Sequence, residues 1–211
     1  MGLEFVDLFN DWADTYDSTV MGGDEEYKEV FQDYERILEA VAERSYGHVL
    51  EFGVGTGNLT EKLLAKGYLV HGIEPSAGMR TKAKEKFPDL DLYDGDFLHF
   101  PHFPEVNSVV SSYAFHHLTD DEKDQALRLY GQLLKKNGKI VFADTMFKNL
   151  FEKKAMVEEA LQKGYQHLAH DLETEYYPLK ETMAVLFEKN GFDVSFEPLN
   201  RYVWLMDATK R

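Results

Sequence analysis

Apolar residues recur along this 211-residue chain in two rhythms, and the change from one to the other predicts its elements. Tyr27, Val30, Phe31, Tyr34, Ile37, Leu38 and Val41 follow i, i+3, i+4, i+7 spacing, which puts one apolar stripe on a helix over residues 24–44. A companion helix is expected over 3–20, with Gly22-Gly23 as the break. Further on, strand-length apolar runs at 48–53, 69–74, 90–94, 107–113 and 138–144 alternate with helical stretches near 57–66, 76–86 and 120–135. Alternation of this kind implies parallel pairing, since each helix carries the chain back to the same end of a sheet. Two more helical stretches, around 149–165 and 179–190, precede strand-like runs at 192–197 and 201–209. Only Pro198-Leu199-Asn200 links those runs, so they must form a hairpin. The pattern predicts an α/β fold: a doubly wound, seven-stranded sheet, mostly parallel with a C-terminal antiparallel hairpin, helices on both faces and an N-terminal helical cap. One domain over 1–211 is expected, with 1–45 as the cap, 46–145 as the core and 146–211 as substrate-side helices and hairpin.

Helix starts are marked by Ser76 ahead of Ala77, and by Thr119 ahead of Asp120-Asp121-Glu122, where an N-cap is followed by acids that favour the positive end of the helix. The most informative junction is Val49-Leu50-Glu51-Phe52-Gly53-Val54-Gly55-Thr56-Gly57-Asn58, a buried strand, a glycine turn and a helix start. Its glycines allow positive φ and let the backbone touch a ligand. Glu74 closes the second strand about 20 residues after Gly53, the offset at which a carboxylate meets a ribose diol in doubly wound folds. A dinucleotide pyrophosphate calls for G-x-G-x-x-G, whereas this chain has G-x-G-x-G and then Asn58. The difference favours a ligand that offers ribose and an amino-acid moiety without phosphates, such as S-adenosylmethionine.

Asp96 and Phe97 follow the third strand, where the Asp96 carboxylate could accept from an adenine amine and the Phe97 N–H could meet a ring nitrogen. Ser112 ends the fourth strand and is the candidate for a backbone carbonyl facing the ligand's amino group. His116 or His117 is either a general base, an acceptor orienting the substrate, or a histidine that only caps the next helix or packs in the core. No metal is expected, because no acid or thiol stands at a recognisable ligand spacing from the paired histidines.

Charge narrows the partners. The net charge is −15, and residues 1–48 alone hold 13 acids against 3 bases, which should repel phosphate backbones and anionic membranes. The expected acceptor is a small molecule rather than a nucleic acid, in keeping with the lack of an Asn-Pro-Pro-Tyr element. There is no cysteine, which excludes disulfides and a cysteine nucleophile. No apolar run approaches the roughly 18 residues of a membrane span, and the N-terminus lacks a signal-peptide pattern, so a cytoplasmic location is expected.

Taken together, the chain resembles class I S-adenosylmethionine-dependent methyltransferases, and most closely the small bacterial YrrT-like methyltransferases. The resemblance covers nearly the whole length. It is carried by the run from Phe9 to Asp17, the glycine loop, Gly72-Ile73-Glu74-Pro75-Ser76, Asp94-Gly95-Asp96-Phe97, His116-His117, Asp171-Leu172-Glu173-Thr174-Glu175 and Val203-Trp204-Leu205-Met206. It implies a Rossmann-like fold, S-adenosylmethionine as methyl donor, donor contacts at Gly53, Glu74 and Asp96, and closure of Tyr16 over the methionine end. With the residues read from spacing, the expected donor site is Tyr16, Gly53, Gly55, Glu74, Asp96, Phe97 and Ser112. Val54 stands where close relatives often carry proline. No catalytic residue follows, because in-line displacement at a sulfonium rests on positioning and needs a base only if the nucleophile must lose a proton. The segment from Tyr165 to Pro178 is either a lid over the acceptor or a solvated polar helix. Two other functions share these features: a protein that binds S-adenosylmethionine without turnover, and an NAD-dependent oxidoreductase, which the missing third glycine disfavours.

Overall fold

Successive side chains of the central strands enter different hydrophobic clusters, which is what a sheet covered on both faces requires. In β1 (His48–Phe52), Val49 joins one cluster while Leu50 and Phe52 join the other. In β5 (Lys139–Thr145), Val141 and Ala143 oppose Ile140 and Phe142 in the same way. The computed structural model describes residues 6–211. Its seven-stranded sheet runs β3 (Asp91–Tyr93), β2 (Leu69–Ile73), β1, β4 (Ser108–Ser112), β5, β7 (Val203–Lys210), β6 (Phe192–Pro198). The first five are parallel, with Val49 level with Val70 on one side and Ser108 on the other. β7 lies antiparallel between β5 and β6, pairing Met206 with both Phe142 and Phe196. The doubly wound sheet with its terminal hairpin is therefore as the sequence predicts, with the last strand inserted beside β5.

Helices cover both faces. α3 (Tyr34–Arg44), α4 (Asn58–Ala65) and α5 (Ala77–Lys86) contribute Ile37, Leu38, Val41, Leu59, Leu63 and Ala83 to one cluster. α6 (Asp120–Leu133) and α9 (Lys180–Lys189) supply Ala126, Leu127, Tyr130, Met183 and Phe187 to the other. α7 (Leu150–Lys163) and α8 (Gln166–Thr174) extend the first cluster through Met156, Ala160, Leu168 and Leu172. Both expected N-caps form. Ser76 Oγ accepts from the Met79 N–H, and Thr119 and Glu122 form a reciprocal capping box.

The N-terminal region departs from the expected pair of helices. In place of a helix over 3–20 there are α1 (Val6–Trp12) and the single turn α2 (Tyr16–Ser18), followed by a wide π turn over Thr19–Gly23; residues 3–5 lie outside the described residues. Gly22 has φ of 92°, so the glycine pair does break the chain. The helix expected over 24–44 begins only at Tyr34. The Asp24 carboxylate accepts from the Glu26 N–H at 2.9 Å, a local turn that competes with helix, and Asp33 takes a left-handed φ of 62°. The apolar spacing had signalled burial correctly, but Tyr27 and Phe31 spend it outside the helix: Tyr27 donates to Asp171 on α8, and the Phe31 ring lies 5.1 Å from that of Tyr113. β7 starts two residues late because the Asn200 side chain accepts from the N–H groups of Tyr202 and Val203 and so extends the link.

Glu51 is fully buried on β1, with one oxygen accepting from Thr60 Oγ at 2.6 Å and the other without a partner. Burial, only partly offset by Thr60, pushes its pKa up to about 8. A raised acid pKa stabilises the fold fully below the ordinary carboxylate range, and that stability is lost as pH rises through the folded value. Glu51→Gln is expected to melt at nearly the wild-type temperature at pH 5 and above it at pH 9. Equal pH dependence of the two melting curves would contradict this assignment.

Candidate active site

Parallel strands end at one edge of the sheet, and the loops leaving β1, β2, β3 and β4 there build an open cleft of about 690 Å3. The loop after β1 is bent by positive φ at Gly53 (67°), Gly55 (57°) and Gly57 (92°). A Cβ on Gly53 would stand 2.7 Å from Ala114 Cβ, whereas nothing lies within 4 Å of one on Gly55. Glu74, 5% exposed, ties this loop to the next: one oxygen accepts from the Gly55 N–H at 2.9 Å and the other from the Ser76 N–H at 2.8 Å. Burial raises its pKa against the pull of those two donors.

All seven residues expected from sequence line this one cleft: Tyr16, Gly53, Gly55, Glu74, Asp96, Phe97 and Ser112. Two use their side chains in ways the sequence did not suggest. Asp96 Oδ1 accepts from the N–H groups of Leu98 and His99, at 2.7 and 3.0 Å, which shapes its own turn. The Phe97 ring is core, stacked 5.2 Å from Phe52, and the Phe97 carbonyl accepts from the Tyr130 hydroxyl. Next to Ser112, Tyr113 holds a positive φ of 52°, a strained setting for a tyrosine of the kind that clusters at functional sites.

Phe9, Tyr16, Tyr113 and His117 also line a second chamber, of about 1310 Å3, on the far side of the cleft. α8 and the segment after it close this chamber with His167, Asp171, Glu175 and Tyr177, so part of the stretch from Tyr165 to Pro178 faces a cavity. The two histidines differ in kind. His116 is caught between carboxylates, with Nδ1 at 2.5 Å from Asp144 Oδ1 and Nε2 at 3.2 Å from Glu175 Oε2, while its backbone N–H donates to Asp144. Burial opposes a charge on His116, but Asp144 and Glu175 outweigh it and hold the ring protonated well above its ordinary pKa. Glu175 is also desolvated, yet the His116 contact keeps it ionised. Burial, joined by the His116 charge, pushes the His117 pKa down to about 3, so that ring is neutral at physiological pH. His116 therefore has no nitrogen with which to act as a base, and His117 is the neutral ring of the pair. Donor atoms of His116, His117 and Glu175 fall within 4.8 Å of one another, so an acid does accompany the histidine pair, supplied from far along the chain.

Asn10 and Asp17 clamp the cap onto the cleft. Asn10 Oδ1 accepts from Ser76 Oγ at 2.7 Å and from the Gly78 N–H, at the start of α5. Asp17 accepts from Thr56 Oγ at 2.5 Å and from Asn58, beside the glycine loop, and pairs with Lys86 at 2.7 Å. Neither was singled out individually, although both lie in the run from Phe9 to Asp17. Asp144 had a signal of another kind, an acid at the end of the apolar run Ile140 to Ala143, and Glu175 stands four residues after Asp171, one helical turn away.

Comparison with known proteins decides the family. The methyltransferase domain family matches residues 49–138. An uncharacterized methyltransferase of Bacillus mycoides strain KBAB4 is 57% identical over 212 residues, covering 100% of both chains. Another, from Bacillus cereus strain 03BB102, is 56% identical with the same coverage. The chain belongs to the class I S-adenosylmethionine-dependent methyltransferases. Among solved structures, magnesium protoporphyrin IX methyltransferase from Synechocystis PCC 6803 with bound S-adenosylmethionine superposes with a TM-score of 0.72 at 14% identity, over 100% of this chain and 97% of that one. A possible histamine N-methyltransferase from Thermotoga maritima gives 0.69 at 15% identity, over 98% of this chain and 100% of that one. At such identities these likenesses speak for the fold. The methyltransferase uses S-adenosylmethionine as its methyl donor, which removes the nicotinamide alternative. Among its described residues no helix is long and apolar enough to cross a membrane.

Asp17→Ala should release the clamp on the glycine loop, lowering stability to urea by about 1–2 kcal/mol through the loss of charged hydrogen bonds at a half-exposed site. It should also raise the rate of proteolysis within residues 6–23. Unchanged cleavage in that region would show that the cap is held by its aromatic packing alone.

Proposed function

We propose that the methyltransferase holds its donor in the cleft over β1 to β4 and methylates a small-molecule acceptor that occupies the adjoining chamber. The observation that carries this reading is the convergence of seven separately expected residues on one cleft, joined through Phe9, Tyr16, Tyr113 and His117 to a second cavity. In this reading Glu74 receives the ribose hydroxyls. Each of its oxygens has a second lone pair after accepting from Gly55 or Ser76, so holding the loop and holding the sugar are compatible.

The Asp96 carboxylate and the Phe97 N–H face adenine, and the Ser112 carbonyl faces the donor's amino group. Gly53 and Gly55 let the backbone approach the methionine portion, and open space at the Gly55 Cβ position fits that role. Tyr16, which borders both cavities, closes over the sulfonium end; burial, then the neighbouring Tyr34 and Tyr113, keep its hydroxyl protonated. When bound, the donor supplies an electrophilic methyl group on a sulfonium. The chain's own part is to align the acceptor, exclude water with the aromatic cap and orient the nucleophile through neutral His117.

Glu74→Ala should weaken S-adenosylmethionine binding by about 1.5–3 kcal/mol, as for the loss of hydrogen bonds to a charged group. Isothermal titration calorimetry on the folded variant checks this. Unchanged affinity would mean that Glu74 only shapes the loop.

A further inference from the structure

The chamber beside the cleft has a composition that discriminates among nucleophiles. Its walls are aromatic, with Trp12, Tyr27, Phe31, Tyr113 and Tyr177 all facing it, and among the described residues no lysine or arginine lines it. Asp171 and Glu175 line it, and Asp144 stands just behind His116. Three carboxylates thus face a single imidazolium. Two lysines stand nearby without lining it: the Lys123 Nζ donates to the carbonyls of Leu118 and Tyr176, and the Lys153 Nζ lies 6.0 Å from the Tyr177 ring centroid. An anionic acceptor would enter against this charge, whereas a cation or a nascent cation would meet ring faces and carboxylates together.

We infer that the acceptor is a small amine, methylated on nitrogen, whose resulting ammonium is stabilised by Glu175 and the surrounding ring faces. The inference rests on the two-chamber reading above and narrows its acceptor. The alternatives fail on geometry and protonation. A hydroxyl must lose its proton to attack, and the basic groups of the chamber are engaged or too weak: both nitrogens of His116 are taken by carboxylates, Glu175 is committed to that ring, Asp171 holds the Tyr27 hydroxyl, and His117 is too weakly basic. Carboxylate and phosphate acceptors need no base but are repelled.

An amine arrives as the free base after leaving its proton in solvent. Its lone pair forms the N–C bond as the methyl C–S bond breaks, the C–S electron pair stays on sulfur as a thioether, and the positive charge passes from sulfur to nitrogen. No proton has to move within the chamber. His117 accepts a hydrogen bond from the amine N–H, which aims the lone pair toward the cleft.

The test uses three probes of one shape, benzylamine, benzyl alcohol and benzoate, titrated calorimetrically into the full-length protein with and without S-adenosylhomocysteine. Benzylamine is expected to bind about tenfold more tightly than benzyl alcohol, with benzoate weaker still. Glu175→Gln should remove most of that preference while leaving S-adenosylhomocysteine affinity within about twofold. If that variant does not fold, Asp171→Asn serves the same comparison. Benzyl alcohol or benzoate binding as well as benzylamine would overturn the inference. Failure of S-adenosylhomocysteine to bind would sink the two-chamber reading instead, and the amine preference measured without it would still be decided.

Discussion

The site is organised by a single buried carboxylate that accepts backbone hydrogen bonds from two different loops. Glu74 joins the Gly55 N–H after β1 to the Ser76 N–H after β2, so the glycine turn and the start of α5 share one anchor. A buried acid is costly unless its oxygens are satisfied, and here satisfying them fixes the shape of the cleft floor. The same short stretch is gripped from above: Asn10 bonds Ser76 and Gly78, while Asp17 bonds Thr56 and Asn58. Floor and roof are therefore joined by polar contacts around the place where a ligand must enter. Removing one of them should affect binding and cap stability together.

A second buried network borders the adjoining chamber. The arrangement Asp144, His116, Glu175 fixes a proton between two carboxylates, and it draws its parts from the end of β5, the turn after β4 and the residue following α8. Because that proton cannot leave cheaply, His116 serves as a fixed charge. His117, one residue on, is driven the other way and stays neutral. Adjacent residues of the same type thus take opposite charge states, because His116 alone is held by both Asp144 and Glu175.

Much of the fold was legible in sequence because it follows from local rules. Strand positions came from apolar runs, helix starts from Ser76 and Thr119, and the parallel pairing of the sheet from the alternation of elements. Six of the seven residues around the cleft were legible too, since a doubly wound sheet puts its ligand at strand ends, whereas Tyr16 in the cap came only from the family resemblance. What escaped depended on contacts distant in sequence. Residues 25–33 carry helical apolar spacing yet form turns, because Tyr27 and Phe31 find partners at Asp171 and Tyr113. The different fates of His116 and His117 could not be read from an adjacent pair, since Asp144 and Glu175 settle them from other elements.

The central claim is that Glu74 both shapes the cleft and grips the donor's sugar. A crystal structure of the protein soaked with S-adenosylmethionine tests it most directly. The account predicts density for the adenosyl group over the ends of β1 and β2, with both ribose hydroxyls within hydrogen-bond distance of the Glu74 oxygens and the Gly55 and Ser76 contacts intact. Density in any other cavity, or a ribose that does not reach Glu74, would contradict it.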